Sequence, residues 1–360
     1  MKRIKLLALI SALMLVITAC TTDGNGDETT TTAADGGSED NGNTGDEGGT
    51  LAAVIAADQV VCGVNDTLPG FGVVDDAGEY SGFDIDFCRA VAAAVLGDAS
   101  KVEFFPLTAE ARFPALQAGE IDLMVRNTTW TATRDGQEGA TFLFTTFYDG
   151  QGMMVPASTG FTTLEDLENA NICVLSGTTT ELNLTAVFEA RGIAFNPVVF
   201  EDNTQLRPAY ESGQCEAWTS DASQIGSWKF TLESEGGEDQ FIMEEIFSKE
   251  PLGPVVADGD TQWAQAVEWA IMATVQAWEF GLDSTNIGSY SGDDPNIQNF
   301  ISGGDAAAGL NLPADFAVQV IEQVGNYEEI YNRYPELAPL EGSVNDLWSN
   351  GGLMYVPPFR

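Results

Sequence analysis

The stretch VEFFPLTAEARFPALQAGEIDLMVR, residues 102–126, places a helical segment between two short apolar segments. Residues 102–107 and 121–126 predict strands, and the segment between them, 109–119, predicts a helix that ends at Gly119. A strand, a helix and a second strand in this order are typical of a unit whose two strands lie parallel.

The same alternation continues on both sides of this stretch. Before it, QVVCGV (59–64) predicts a strand, and FDIDFCRAVAAAVLG (83–97) predicts a helix with apolar residues at helical spacing and a stop at Gly97. After residue 170 the same order of strand and helix returns in segments 171–175, 179–192, 196–200, 203–214 and 216–221. The sequence therefore predicts two α/β lobes with largely parallel sheets.

The two series of alternating strands and helices, in residues 59–126 and 171–221, resemble an internal repeat. Gly119 and Gly213 each end a helix and precede a strand, and counting on from them places Asn127 and Asp221 at equivalent carboxyl ends of strands. Ligands bind at these ends in open α/β sheets. Two such lobes facing each other would form a cleft lined by both residues.

The first fifty residues predict export rather than folded structure. Residues 1–20 combine a basic MKRIK, an apolar run of twelve residues that is too short to span a bilayer, and ITAC, which resembles the lipobox of bacterial lipoproteins with Cys20 as the lipidation site. A plain secretory signal is the alternative. Residues 21–50 contain eight Thr, eight Gly and eight acidic residues but no aromatic residue, which predicts a disordered linker. Folded protein should begin near Leu51.

Four cysteines remain once Cys20 is assigned to the lipid. An exported chain matures in an oxidising compartment, where four cysteines allow three connectivities. Because two lie in each series, we favour the pairs Cys62–Cys88 and Cys173–Cys215. Zinc binding is the alternative, but the chain has no histidine and no Cys-x-x-Cys spacing.

The charge balance excludes several classes of partner and chemistry. With 55 acidic and 14 basic residues, the protein has no electrostatic reason to bind nucleic acid or an anionic membrane. The absence of histidine excludes Ser-His-Asp and Cys-His catalysis, and no phosphate-binding glycine motif opens a helix. We therefore expect no metal, no cofactor and no catalytic activity.

Two stretches favour a site for a small anion. Arg112, Arg126 and Arg134 lie within 23 residues of this acidic chain, and Thr128 and Thr129 stand between the last two arginines, directly after a strand. The second stretch is SGTTTE (176–181), between a strand and a helix, where free N–H groups suit a carboxylate. The spacing Thr178-x-x-Glu181 equally predicts a simple helix-capping box.

Several longer motifs identify a family. VVCGVNDTLPGF (60–71), SGFDIDFCRAVAAAVLGD (81–98), residues 105–135, YDGQGMMVP (148–156), LSGTTTELNL (175–184) and LWSNGGLMYVPPFR (347–360) resemble the general and acidic/amide amino-acid-binding proteins of ABC importers. The resemblance covers nearly all of residues 51–360. It implies a type II periplasmic-binding-protein fold of two α/β lobes, joined by crossing strands near 148–155 and 249–256. The implied lobes comprise 51–151 with 250–360, and 152–249.

The resemblance also implies roles for individual residues. Arg134 looks like the arginine that pairs with the α-carboxylate of an amino acid, and Asp221 like the carboxylate that receives its α-ammonium group. Hydrogen bonds to the ligand would come from Thr129 and the Asn127 backbone in the first lobe and from Thr179, flanked by Thr178, in the second.

Specificity would depend on two further positions. Arg112 resembles an arginine that reaches the side-chain carboxylate in glutamate and aspartate binders. Ala109 stands where many relatives that bind basic or aromatic ligands have an aromatic residue, so its small side chain favours polar or broad specificity.

The family implies a function in transport. The protein would be a monomeric, lipid-anchored substrate-binding protein at the periplasmic or outer face of the cytoplasmic membrane. It would capture L-amino acids, glutamate, glutamine, aspartate and asparagine among them, and deliver them to ABC permease subunits. An enzyme on the same fold, similar to periplasmic dehydratases, and a ligand sensor for a receptor are the alternatives.

Overall fold

A computed structural model describes residues 49–360 of the chain. The predicted signal peptide, Cys20 and the linker up to residue 48 lie outside the described residues. Thr50, the last residue of the predicted linker, is instead the first residue of a helix, and its N–H donates to the Asp260 carboxylate at 2.7 Å.

Fifteen strands form four sheets within the described part of the chain. In chain order they are β1 (Val60–Val64), β2 (Thr67–Leu68), β3 (Gly72–Val74), β4 (Tyr80–Ser81), β5 (Val102–Pro106), β6 (Leu123–Met124), β7 (Ala140–Phe142), β8 (Phe147–Asp149), β9 (Gln151–Pro156), β10 (Asn171–Leu175), β11 (Asn196–Phe200), β12 (Ala217–Asp221), β13 (Gln240–Ile242), β14 (Glu250–Leu252) and β15 (Val255–Ala257).

Two five-stranded sheets organise the fold. The first has the order β5-β1-β6-β15-β7, and the second has the order β11-β10-β12-β9-β13. In each sheet the first three strands are parallel, and the remaining pairings are antiparallel. The unit built on each sheet is called the first or the second lobe below, and the α/β prediction is confirmed.

Two antiparallel segments connect the lobes. β8 and β14 pair with each other, so that Asp149 lies opposite Glu250. One segment runs through β7, β8 and β9, and the other runs through β13, β14 and β15. Strands β7 and β15 belong to the first sheet, whereas β9 and β13 belong to the second. The chain therefore crosses between the lobes twice, as predicted for this fold class.

Twelve α-helices in residues 49–360 cover the sheets. They are α1 (Thr50–Ala57), α2 (Phe83–Leu96), α3 (Arg112–Gln117), α4 (Ala132–Gln137), α5 (Thr179–Arg191), α6 (Asn203–Glu211), α7 (Ala222–Ser234), α8 (Thr261–Glu279), α9 (Pro295–Ser302), α10 (Gly304–Leu310), α11 (Phe316–Gln323) and α12 (Tyr327–Asn332). Helices α2, α8, α11 and α12 pack together beside the first sheet and carry much of its core.

Each lobe contains one of the predicted disulfides. Cys62 of β1 is bonded to Cys88 of α2, and Cys173 of β10 is bonded to Cys215. All four residues are buried; the first bond ties an inner strand to a helix, and the second ties an inner strand to the loop between α6 and β12. Within residues 49–360, none of the helices combines the length and apolar character needed to cross a membrane.

Candidate functional site

The cleft between the lobes narrows to a central cavity at the carboxyl ends of the parallel strands. Asn127, three residues beyond β6, and Asp221, the last residue of β12, both line it. The structure thus brings together the two positions that the internal repeat marked as equivalent. Four further predicted residues also line the cavity, namely Arg112, Thr129, Thr178 and Thr179.

The central cavity is narrow because the lobes touch across it. The hydroxyl oxygens of Thr129 and Thr179 lie 3.3 Å apart, one from each lobe, and the cavity volume is about 20 Å³. A ligand the size of an amino acid can therefore enter only when the lobes separate, and the two crossing segments are the connection about which they would move.

Two predicted residues do not line the central cavity. Arg134 lines an adjoining part of the cleft, whose wall shares Thr178 and Thr179 with the cavity. Thr128 is fully buried, and its hydroxyl donates to the Arg126 carbonyl at 2.9 Å. The Thr128 hydroxyl is thus already used inside the first lobe.

Arg134 is held by the start of a short helix. The Thr131 hydroxyl accepts the Arg134 backbone N–H at 3.1 Å and caps α4. The guanidinium Nη1 donates to the Thr129 carbonyl at 2.9 Å, and the guanidinium carbon lies 5.6 Å from the centre of the Phe113 ring. These contacts fix the guanidinium at the cleft without giving it an anionic partner.

Three buried arginines line the first-lobe side of the cleft. Arg112, Arg126 and Arg134 are 2%, 5% and 8% exposed, and none of them joins the ion pairs found among residues 49–360. Burial lowers the pKa of all three side chains, that of Arg126 to about 10, and the charge of Arg134 lowers the pKa of Arg112 further. The three cations are therefore costly to bury together, and a bound anion would relieve that cost.

Arg112 and Arg126 use only part of their hydrogen-bonding capacity. Nη2 of Arg112 donates across the cleft to the Gly177 carbonyl at 3.4 Å, while its buried Nε has no partner in the described part of the chain. Nε of Arg126 donates to the Leu107 carbonyl at 2.7 Å. Sequence reasoning counted Arg126 in the cluster but gave it no role, although it directly precedes Asn127 at the strand end.

The opposite wall carries buried carboxylates. Asp221 is 5% exposed and does not cap the helix α7 that follows it. Burial raises its pKa well above the ordinary value, and the charges of Asp149 and Glu250 raise it further. Burial also raises the pKa of Asp149 to about 6, against the effect of its hydrogen bond with Ser223. A cation placed beside Asp221 would stabilise its ionised form.

Glu250 links the crossing segments to the cleft. Its carboxylate accepts hydrogen bonds from the Thr179 hydroxyl at 2.7 Å and from the Asn183 amide at 2.8 Å. Glu250 is 1% exposed and lies opposite Asp149 in the pair of crossing strands. Sequence reasoning missed both acids, because only the pairing of the crossing strands brings them beside Asp221.

The SGTTTE segment forms the start of α5. The Thr178 hydroxyl accepts the Glu181 N–H at 3.1 Å, as in a capping box, but the Glu181 carboxylate accepts the Gly177 N–H instead of that of Thr178. The capping interpretation is thus correct for only one of its two bonds. The N–H groups of Thr179 and Thr180, in the first turn, have no intrahelical acceptor and are available to a ligand.

Together these groups provide opposite charges on opposite sides of one cavity. Arginines and helix N–H groups can hold a carboxylate, and Asp221 can hold an ammonium group. A small zwitterion that carries both groups fits this arrangement.

Comparison with known proteins identifies the family. Residues 60–336 match the family model described as bacterial extracellular solute-binding proteins, family 3. The chain belongs to this family. Its members are described as extracellular and solute-binding, which agrees with a predicted export signal and a ligand cleft.

Curated relatives match most of the chain. It is 45% identical over 318 residues to the general L-amino acid-binding periplasmic protein AapJ of Rhizobium johnstonii, covering 86% of this chain and 93% of the relative. It is 42% identical over 317 residues to the glutamate/glutamine/aspartate/asparagine-binding protein BztA of Rhodobacter capsulatus, with 86% and 93% covered.

A solved structure has the same architecture. The ABC transporter/periplasmic binding protein from Brucella ovis with glutathione bound matches with a TM-score of 0.83 and 41% identity, covering 86% of this chain and 99% of that chain. The match includes both lobes, and it confirms the type II fold.

Proposed function

We propose that this solute-binding protein captures L-amino acids outside the cytoplasmic membrane and delivers them to the permease of an ABC importer. The observation that carries the proposal is the placement of buried arginines, which form no ion pair within residues 49–360, opposite Asp221 in one interlobe cleft. The names of the similar Rhizobium and Rhodobacter proteins support the amino-acid ligand. The name of a 41% identical Escherichia coli protein, putative amino-acid ABC transporter-binding protein YhdW, supports the transport role.

The proposed ligand lies between the lobes. Arg134 binds the α-carboxylate together with the N–H of Thr179, and Asp221 binds the α-ammonium group. Thr129 and the Asn127 carbonyl supply further hydrogen bonds from the first lobe, because the Asn127 N–H already donates to the Asp84 carboxylate at 2.6 Å. Arg134, the Thr179 N–H and Asp221 together are called the amino-acid clamp below. Because this clamp takes groups from both lobes, a bound amino acid stabilises their closed arrangement.

We propose glutamate, glutamine, aspartate and asparagine as preferred ligands. Arg112 and Ala109 both line the central cavity, so a polar side chain can reach the arginine without meeting an aromatic wall. The ligand set in the name of the Rhodobacter relative supports this assignment. The glutathione of the Brucella structure carries a γ-glutamyl group, which keeps the α-carboxylate and α-ammonium groups of a free amino acid. The same clamp can therefore hold the amino-acid end of a longer γ-glutamyl ligand.

A thermal-shift screen of the twenty L-amino acids tests the proposal. A ligand at 100 times its Kd stabilises the folded protein by about 2.7 kcal/mol. We expect the four polar amino acids among the largest shifts. A larger shift with lysine or arginine than with all four would contradict the specificity, and no shift with any amino acid would contradict the function.

Enzymatic activity is the competing proposal on this fold. A similar structure, at 26% identity and a TM-score of 0.55, is an ancestral amino acid-binding protein described as a precursor of cyclohexadienyl dehydratase. We favour binding without turnover, because the curated relatives at 41–45% identity are named as binding proteins. Incubation with each amino acid followed by chromatography tests this. A product that forms in proportion to the amount of protein would support enzymatic activity instead.

We also propose that Cys20 carries a lipid anchor, on the evidence of the ITAC sequence. Fractionation of cells that express the Cys20→Ser variant tests this. We expect the variant to leave the membrane fraction and the parent to remain there, and a variant that stays membrane-bound would contradict the assignment.

A further inference from the structure

The interlobe cleft extends beyond the central cavity into a second cavity of about 280 Å³. The two cavities share three wall residues, Asn65, Arg126 and Leu175. The second cavity lies towards the outer parallel strands β5 and β11, because its other walls include residues that follow those strands, Leu107 and Asp202 among them. A ligand held in the central cavity could thus extend into the second without leaving the cleft.

Arg126 stands at the junction of the two cavities. The one hydrogen bond that its side chain forms within residues 49–360 uses Nε, which donates to the Leu107 carbonyl, so the two terminal nitrogens of the guanidinium are left for a ligand. An oxygen on the side chain of a bound amino acid, either carboxylate or amide carbonyl, would meet these donors. Arg126 by itself does not distinguish a free acid from an amide.

Asn203, the first residue of α6, provides that distinction. It is 2% exposed, and its amide nitrogen lies 3.4 Å from both the carbonyl and the hydroxyl oxygens of Thr67 on the other lobe. Its amide oxygen is buried and accepts no hydrogen bond from the described residues, although Asn203 lines the second cavity. A buried acceptor without a donor is unfavourable, and an N–H group supplied by a ligand would satisfy it.

The remaining polar walls favour an uncharged extension. Asp66 and Asp202 both line the second cavity, and the Asp202 carboxylate caps α6. A second carboxylate on the ligand would lie near these acids and be repelled. An amide substituent with an N–H and no further negative charge fits the walls best.

We propose that the second cavity is a subsite for γ-glutamyl amides, that is, L-glutamine derivatives substituted on the side-chain nitrogen, whose amide carbonyl contacts Arg126 and whose amide N–H donates to Asn203. This inference rests on the proposed function, because the α-carboxylate and α-ammonium groups of such a ligand occupy the amino-acid clamp. It extends that function from free amino acids to their amide-linked derivatives.

Two isomeric ligands test the subsite on the unaltered protein. N5-ethyl-L-glutamine keeps one amide N–H, whereas its isomer N5,N5-dimethyl-L-glutamine has no amide N–H. In calorimetric titrations we expect the ethyl isomer to bind at least tenfold more tightly than the dimethyl isomer, which corresponds to about 1.4 kcal/mol.

Variants show whether Asn203 is the acceptor. In Asn203→Leu the two isomers should bind with equal affinity, while L-glutamate, which has no side-chain N–H, keeps its affinity within twofold. Thr67→Val is the matched control, because it removes one partner of the Asn203 amide nitrogen and leaves the amide oxygen in place. This control should retain the preference for the ethyl isomer.

The outcomes separate this inference from the proposed function. If the unaltered protein binds glutamate but binds the two isomers equally or not at all, the subsite is wrong and the amino-acid clamp stands. If Asn203→Leu lowers the affinity for glutamate as much as it lowers the affinity for the ethyl isomer, Asn203 acts on lobe closure and the subsite is again wrong. If no amino acid binds, the proposed function itself fails. Should Asn203→Leu not fold, the comparison of isomers on the unaltered protein still decides.

Discussion

Replacing Arg134 with alanine should weaken the binding of every L-amino acid by about 30- to 5,000-fold. The side chain is 8% exposed and belongs to no ion pair in the described part of the chain, so its charge is available to the ligand. Without it, closure of the lobes would bury the ligand carboxylate without its charge partner. Loss of one partner from a buried charge pair costs about 2–5 kcal/mol, which gives the stated range.

The free protein should tolerate this change. Arg134 loses its hydrogen bond to the Thr129 carbonyl, a longer one of 3.5 Å across the cleft to the Gly177 carbonyl, and its contact with the Phe113 ring. Its removal also relieves the burial of a cation, because burial lowers the pKa of the Arg134 side chain. Since the two effects oppose each other, we expect the Tm without ligand to change by less than about 4 °C, which is on the order of 1 kcal/mol.

Calorimetric titration with L-glutamate measures the effect. Arg191→Ala is the control, because Arg191 lies on the surface and pairs with Glu165 and Glu245 away from the cleft. It should bind as the parent does. Binding by Arg134→Ala within threefold of the parent, about 0.7 kcal/mol, would refute the role of Arg134 in the clamp.

The remaining predictions concern specificity, pH and the disulfides. Arg112→Ala should lower the affinity for glutamate and glutamine more than the affinity for alanine. Equal losses of affinity for all three in calorimetric titrations would show that Arg112 does not contact the ligand side chain. Because burial raises the pKa of Asp84 to about 7 and that of Asp149 to about 6, both carboxyls bind protons more tightly in the folded than in the unfolded chain. Their stabilising effect is present at pH 4 and is lost as the pH rises through 6 and 7, so urea unfolding should show greater stability at pH 5 than at pH 8; the opposite order would contradict these shifts. The disulfides close loops of 26 and 42 residues, so replacing either pair with serine should lower the free energy of unfolding by about 3.5–4 kcal/mol, and a loss below 1 kcal/mol would show that the bond contributes little.

Local signals made much of the fold predictable from the sequence. The helix predicted for 83–97 is observed as α2, which ends at Leu96 and is capped by Gly97 with φ +69°, and the strand predicted for 171–175 is β10. The helix predicted for 109–119 is shorter, because residues before Arg112 form a turn in which the Thr108 hydroxyl accepts the Ala111 N–H. The strand predicted for 121–126 is reduced to β6, since the chain leaves the sheet before Asn127, where φ is +34°.

Other features depend on contacts that a local pattern does not contain. The sequence did not predict α1 or the small sheet of β2, β3 and β4, whose strands are only two or three residues long. Asp149 and Glu250 are 101 positions apart and meet only because the crossing strands pair. Their effect on the pKa of Asp221 therefore has no signal in the sequence.

The most direct test of the account compares L-glutamate with glutarate in calorimetric titrations of the unaltered protein. Glutarate has both carboxylates but no α-ammonium group, so it would leave the buried Asp221 carboxylate without its partner. We expect glutamate to bind at least 30-fold more tightly than glutarate, which corresponds to about 2 kcal/mol. Glutarate binding within threefold of glutamate, or no binding of glutamate at millimolar concentration, would contradict it.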